Sequence, residues 1–240
     1  GKRIKSLIFS TDVAVIKKAM SQVRLGVEAA KPSKKERIKP PKFAPAGQST
    51  QLIVGADGAP DTAIIDRSAS LYGGYGLRRV YSPAFSPIPD ASSVLPLTKP
   101  PLMREHRLYQ ADWLMRFYGF SPPEIGEATV DGMLDLAIDP KLAWALDNRD
   151  VFPLDLNRAE PTLIARIPGI GLRTTQRLVD LRRERKIRFE DLARMRCVLA
   201  KAKPFFITSD YHPQQADSTS VLLREQLRDR PQPQQMGLWG

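Results

Sequence analysis

The residues with the clearest chemical potential lie in Asn157–Arg185, NRAEPTLIARIPGIGLRTTQRLVDLRRER. Pro161 suits the first turn of a helix that carries Leu163, Ile164 and Ile167. Pro168 stops that helix, Gly169-Ile170-Gly171 makes a tight turn, and a second helix runs from about Arg173 to Glu184 with Leu178, Val179 and Leu181 as apolar positions. Glycines at 169 and 171 can take backbone angles closed to other residues and bring the chain close to a ligand. Ile170 between them can plug the groove between the two helices. The first amides of the second helix then point outward without intrahelical acceptors, at the end where the helix dipole favours an anion. A phosphodiester fits such a nest. Arg173, Thr174 and Arg177 can add side-chain contacts on the same face.

This is the helix-hairpin-helix pattern, and it predicts grip on a nucleic-acid backbone without reading of bases. The expected binding residues are Pro168, Gly169, Ile170, Gly171, Arg173, Thr174 and Arg177. A glycine-capped helical hairpin with no ligand is the competing reading. The cations that follow, Arg182, Arg183, Arg185, Lys186 and Arg188, favour a polyanion over it. A dinucleotide-binding turn would need a third glycine and a preceding apolar strand, and neither is present. Phe189 to Leu199 reads as a further short helical segment closing the module. Cys197 within it reads as a packing residue, because no histidine is near in sequence to activate it.

Bulk charge agrees with a polyanionic partner. The 240 residues carry a net charge of +11 and a pI near 9.9. The excess is concentrated in two blocks: residues 1–50 hold 12 Lys/Arg against 3 Asp/Glu, and residues 151–205 hold 13 against 6. The intervening 51–150 is acidic, with 9 against 13. No apolar run approaches the roughly 18–20 residues of a membrane span, which disfavours a membrane partner. With one cysteine, Cys197, and two distant histidines, His106 and His212, the chain has no disulfide framework and no thiolate-rich metal site. A reducing, cytoplasmic setting is expected.

The elements that would position the motif follow from periodicity. Val13, Ile16, Met20, Val23 and Val27 predict an amphipathic helix over Thr11–Ala30. Lys31, Lys34, Lys35, Arg37, Lys39 and Lys42, interleaved with Pro32, Pro40 and Pro41, predict an extended basic arm, either a phosphate strap or a charged connector. Gln51–Gly55 (QLIVG) is a candidate buried strand, Ala59–Tyr75 a helix with Pro60 in its first turn, and Leu77–Ala84 a second strand. Strand, helix, strand implies one βαβ unit and a parallel pair. The prolines between Ser82 and Pro101 predict an irregular crossing loop. Beyond it, Leu108, Ala111, Leu114, Met115 and Tyr118 share a helical face, Ser121 caps a short helix, and Asp139-Pro140 starts another containing Leu142 and Leu146. From Asp210 the chain is rich in Gln, Pro and Ser, with one short helix expected around Val221–Arg228 in an otherwise mobile tail.

Four segments in order, FAPAGQSTQLIVGAD at 43–57, REHRLYQADWLMRFYGF at 104–120, DPKLAWAL at 139–146 and FPLDLNRAEPTLIARIPGIG at 152–171, resemble a bacterial family of radical S-adenosylmethionine proteins of DNA modification or repair. The resemblance runs from about residue 10 to about 209 and covers only the C-terminal part of that family. It implies an α/β plus all-α chain. Residues 1–103 would be the end of a radical-SAM-type βα barrel with its last βαβ unit and a basic arm, 104–150 a helical connector, and 151–209 the helix-hairpin-helix domain. Residues 210–240 would be a disordered tail.

For the full-length family the resemblance implies a [4Fe–4S] cluster on a CxxxCxxC loop, S-adenosylmethionine as cofactor, and Gly55 near that cofactor. This chain lacks the loop, so no catalysis, catalytic residue or metal ligand is expected of it alone. His106, Tyr109 and Trp113, within the second segment, are expected to pack in the core. The partner implied is DNA, duplex or structured, with RNA second, and with an N-terminal catalytic half outside the chain. A stand-alone binding or scaffold protein without catalysis, or a protein-interaction hairpin, are the alternatives.

Overall fold

The computed structural model describes residues 13–31, 43–87, 95–195, 197–214 and 219–228. The basic arm from Pro32 to Lys42 lies outside them. The chain is mixed α/β, mostly helical, and divides into two compact units, residues 1–59 with 66–100 and residues 60–65 with 101–240.

In the first unit, α1 (Val13–Ala29) precedes β1 (Ser49–Gln51), α2 (Asp61–Tyr75) and β2 (Arg79–Tyr81). The strands pair in parallel, Ser49 opposite Arg79, Thr50 opposite Val80 and Gln51 opposite Tyr81, as the βαβ pattern requires. The ladder continues irregularly through Leu52 N to Tyr81 O and a parallel bridge between Val54 and Ala84. Leu71, Leu77 and Val80 form its core, with Met20, Leu52, Tyr72 and Tyr75 packed against them. Two expectations shift here. The strand expected over Gln51–Gly55 starts at Ser49 and is not wholly buried: Val54 is, but Ile53 is exposed, because β2 is its only neighbour among the described residues. Helix α1 is amphipathic, yet no residue of it is buried and Val13 and Ile16 face solvent.

The second unit takes the first residues of α2 and continues through α3 (Leu102–Phe117), α4 (Pro122–Glu127) and α5 (Pro140–Asp147). After β3 (Leu154–Asp155) come α6 (Pro161–Arg166), α7 (Leu172–Glu184), α8 (Phe189–Arg194) and α9 (Leu199–Ala202). It ends with β4 (Phe206–Ile207), parallel to β3, and α10 (Ser220–Leu227). Caps set the short helices: Ser121 and Glu124 form a reciprocal capping box on α4, and the Asp139 carboxylate accepts from Leu142 N on α5. Residues on both sides of position 150 share one core, since Phe120, Trp144, Phe152 and Phe205 meet edge to face in series, with centroids 5.2–6.1 Å apart. Asp61 is fully buried and is satisfied by Arg104 at 2.7 Å and by Leu134 N at 3.0 Å.

The tail departs from the expectation of disorder. Helix α10, capped by Thr219, docks onto α5: Leu223 is fully buried, Ser220 Oγ donates to Leu146 O, and Arg224 pairs with Asp135. Burying one leucine with two polar ties holds a segment whose average composition reads as unstructured. Residues 215–218 and 229–240 lie outside the described residues.

Candidate nucleic-acid interface

Helices α6 and α7 are joined by Ile167–Gly171. Ile164, Ile167, Ile170 and Leu178 are fully buried, so the residue between the two glycines is the plug that holds the turn between its helices. Each such side chain contributes about 1.5–3 kcal/mol on burial. Pro168 is buried beside it. The turn is also held from outside α6 and α7: Lys141, near the start of α5, donates from Nζ to Ile170 O at 2.6 Å and lies 4.6 Å over the Tyr118 ring. Burial holds the Lys141 ammonium down at about 7, although the nearby Asp139 carboxylate opposes the shift.

The two glycines serve different purposes. Gly169 has φ +79°, and a Cβ there would lie 2.5 Å from the carbonyl oxygen of Val198, whose amide donates to Gly169 O at 3.0 Å. It is glycine because the turn is left-handed and pressed against the α8–α9 connection. Gly171 was expected to need a similar freedom, and it does not. Its φ of −96° and ψ of 168° are open to any residue, and a Cβ would meet only the Tyr118 hydroxyl at 3.7 Å. As the N-cap of α7 without a side chain, Gly171 instead leaves the first turn uncovered. Among the described residues, the amides of Gly171, Leu172, Arg173 and Thr174 have no acceptor. A cap side chain would take up one or more of them; here they are left for something else.

The expected side chains divide. Arg173 and Arg177, one turn apart, are exposed beside these amides, and neither has an ion-pair partner among the described residues. Thr174 corrects the expectation of a side-chain contact: it is buried and its hydroxyl donates to Met195 O. The arginines downstream are also not one pool of charge. Arg182 donates to Ala159 O at 2.6 Å, and Arg185 is forked on the buried Asp191 carboxylate, with Nη1 at 2.9 Å. That pairing raises the Arg185 pKa and lowers that of Asp191.

Comparison of the chain with protein-family models, with curated proteins and with solved structures finds no match. The site therefore rests on its own geometry.

Gly55 belongs to the first unit, in a left-handed turn (φ +79°) where a Cβ would lie 2.7 Å from Pro100 Cγ. Steric pressure from Pro100 accounts for the glycine without a ligand. An iron–sulfur cluster does not fit this chain: Cys197 is its one cysteine, and the half-buried thiol donates to Leu192 O while burial pushes its pKa up. Among the described residues no group of His, Cys, Asp or Glu could hold a metal ion.

The expectation that His106 and Trp113 pack in the core is overturned. Both are exposed on the outer face of α3, while Leu108, Ala111 and Leu114 take the inner one. A strict count by 3.6 puts Trp113 a third of a turn from Leu114, on the solvent side. Sequence reading also overlooked Lys141 and Tyr118 as supports of the turn. Their only signal was a lysine directly after a cap-proline pair, which is too common to be specific.

Proposed function

We propose that the second unit carries a helix-hairpin-helix module whose Gly171–Thr174 amides, flanked by Arg173 and Arg177, bind the phosphodiester backbone of DNA without sequence preference. The observation that carries this reading is the open first turn of α7: four amides without acceptors among the described residues, two exposed arginines one turn apart, and an N-cap with no side chain. The net +7 of residues 151–205 adds long-range attraction. Under this reading the parallel β1–α2–β2 unit is the last part of a radical-SAM-type barrel, and the module presents DNA to chemistry that this chain's residues do not perform.

The test is titration of labelled duplex DNA at two salt concentrations with the wild-type chain and Gly171→Asp. Aspartate at an N-cap accepts from the same amides and suits the backbone angles seen. The variant should fold as well as wild type while losing about 10- to 100-fold in affinity. Salt-independent binding, or undiminished binding by this variant, would exclude the assignment.

A further inference from the structure

One polar group beside the open end of α7 is used neither by the fold nor by the reading above: the hydroxyl of Tyr118. The chain leaves α3 at this residue. Its amide donates to Leu114 O at 3.0 Å, and Gly119, with φ +71°, turns the backbone away. The ring is fixed as well as the backbone. Lys141 Nζ lies 4.6 Å over it while donating to Ile170 O at 2.6 Å, so one lysine ties the phenol to the glycine turn.

That tie sets the place of the hydroxyl. Its oxygen lies 3.7 Å from the position that a Cβ on Gly171 would take. An N-cap side chain starts from that position to reach the amides of a helix's first turn. The Tyr118 hydroxyl therefore stands beside the space that the absent cap side chain leaves open. It has no hydrogen-bond partner among the described residues, and Tyr118 is half-buried, not sealed in the core. A phenylalanine would offer Lys141 the same ring and the same packing, so the oxygen is the one part of this side chain that the fold does not use. The α7 amides can only donate, and a phenol can donate as well. Donors gathered at one opening, with Arg173 and Arg177 exposed beside it, suit an anionic acceptor.

We propose that the Tyr118 hydroxyl donates to a non-bridging oxygen of the phosphate held at the α7 amides, so that the helix end and a side chain from the end of α3 share one phosphodiester. The proposal rests on the backbone-binding reading and adds to it a neutral contact. Tyrosine donors to phosphate fix the register of a strand without reading its bases. A neutral donor displaces no counterion, so its loss lowers affinity without changing the salt dependence. This separates Tyr118 from the flanking arginines.

The experiment titrates labelled duplex DNA with the full chain at a series of salt concentrations. Wild type is compared with Tyr118→Phe, with Gly171→Asp and with the double variant, and Tm is measured for each. Tyr118→Phe should bind about tenfold more weakly at every salt concentration, with an unchanged salt slope and an unchanged Tm. In the Gly171→Asp background, where a carboxylate already occupies the amides, the same exchange should cost little more. Undiminished binding by Tyr118→Phe beside a loss in Gly171→Asp would overturn the hydroxyl contact and leave the backbone reading standing. A fall in Tm that accounts for the loss would assign the hydroxyl to the fold, and full additivity in the double variant would place its contact at another phosphate. Either result would likewise overturn the proposal. Wild-type failure to bind duplex at low salt is the separate failure of the backbone reading and takes this contact with it.

Discussion

At its start, α7 has amides without acceptors and the exposed Arg173 and Arg177 without ion-pair partners among the described residues; at its end, Arg182 and Arg185 are drawn back onto the Ala159 carbonyl and the Asp191 carboxylate. The two ends carry the same residue type, yet one is available to a ligand and the other is part of the scaffold. Charge along a chain is therefore a weak guide to where a polyanion sits, because an arginine fork that satisfies buried acceptors gains more by staying than by binding. The pairing at the far end also secures the near end. Arg185 and Asp191 tie the C-terminus of α7 to α8, and the α8–α9 connection supplies Val198 against Gly169.

This contrast can be broken in several places. Gly169→Ala should have the largest effect: a left-handed residue and a collision with the Val198 carbonyl should cost about 3 kcal/mol in stability, read as a fall in Tm, and abolish binding with it. Gly171→Asp should separate the two properties. It should keep or raise stability by a few tenths of a kcal/mol while affinity drops about 10- to 100-fold.

Next in size are the arginine exchanges. Arg173→Ala and Arg177→Ala should each weaken all DNA sequences alike and lower the salt slope by about 1 at unchanged Tm. Arg182→Ala and Arg185→Ala should do the reverse, lowering Tm and leaving the slope alone. If Arg185→Ala flattened the slope instead, the division between the two ends of α7 would fail.

The smallest effect concerns Lys141. Its folded pKa of about 7 lies below the ordinary lysine value, so between the two the unfolded chain binds a proton that the folded chain does not. The contribution of this group to stability should therefore rise as pH climbs through that window. Lys141→Met should remove that rise in a series of Tm measurements across the window, and a rise that persisted would place the titration elsewhere.

Much of the site was legible in the sequence because its signals are local. Pro161, Pro168 and the Gly169-Ile170-Gly171 turn mark the ends of α6 and α7 through backbone chemistry that needs no distant partner. The same holds for the caps at Ser121 and Asp139, and for the β1–α2–β2 crossover, where periodicity and punctuation suffice. Thr174, Trp113 and Gly171 were misread because burial and backbone angle are properties of a packed neighbourhood. Thr174 turns inward to reach Met195 O across 21 residues of sequence, and Trp113 falls on the side of α3 that no other described element covers.

The sequence by itself determined the places where helices start and stop, the parallel crossover, the net positive charge and the presence of a glycine turn ahead of a basic helix. Tertiary structure alone decided which glycine is sterically required, which arginines are drawn onto protein acceptors, that Lys141 and Tyr118 brace the turn, and that α10 is docked. The physical reason is range. Helix punctuation is settled within a few residues by dihedral preference and unpaired backbone groups, whereas desolvation, ion pairing and steric exclusion are settled by whichever distant side chains the fold brings within a few ångströms.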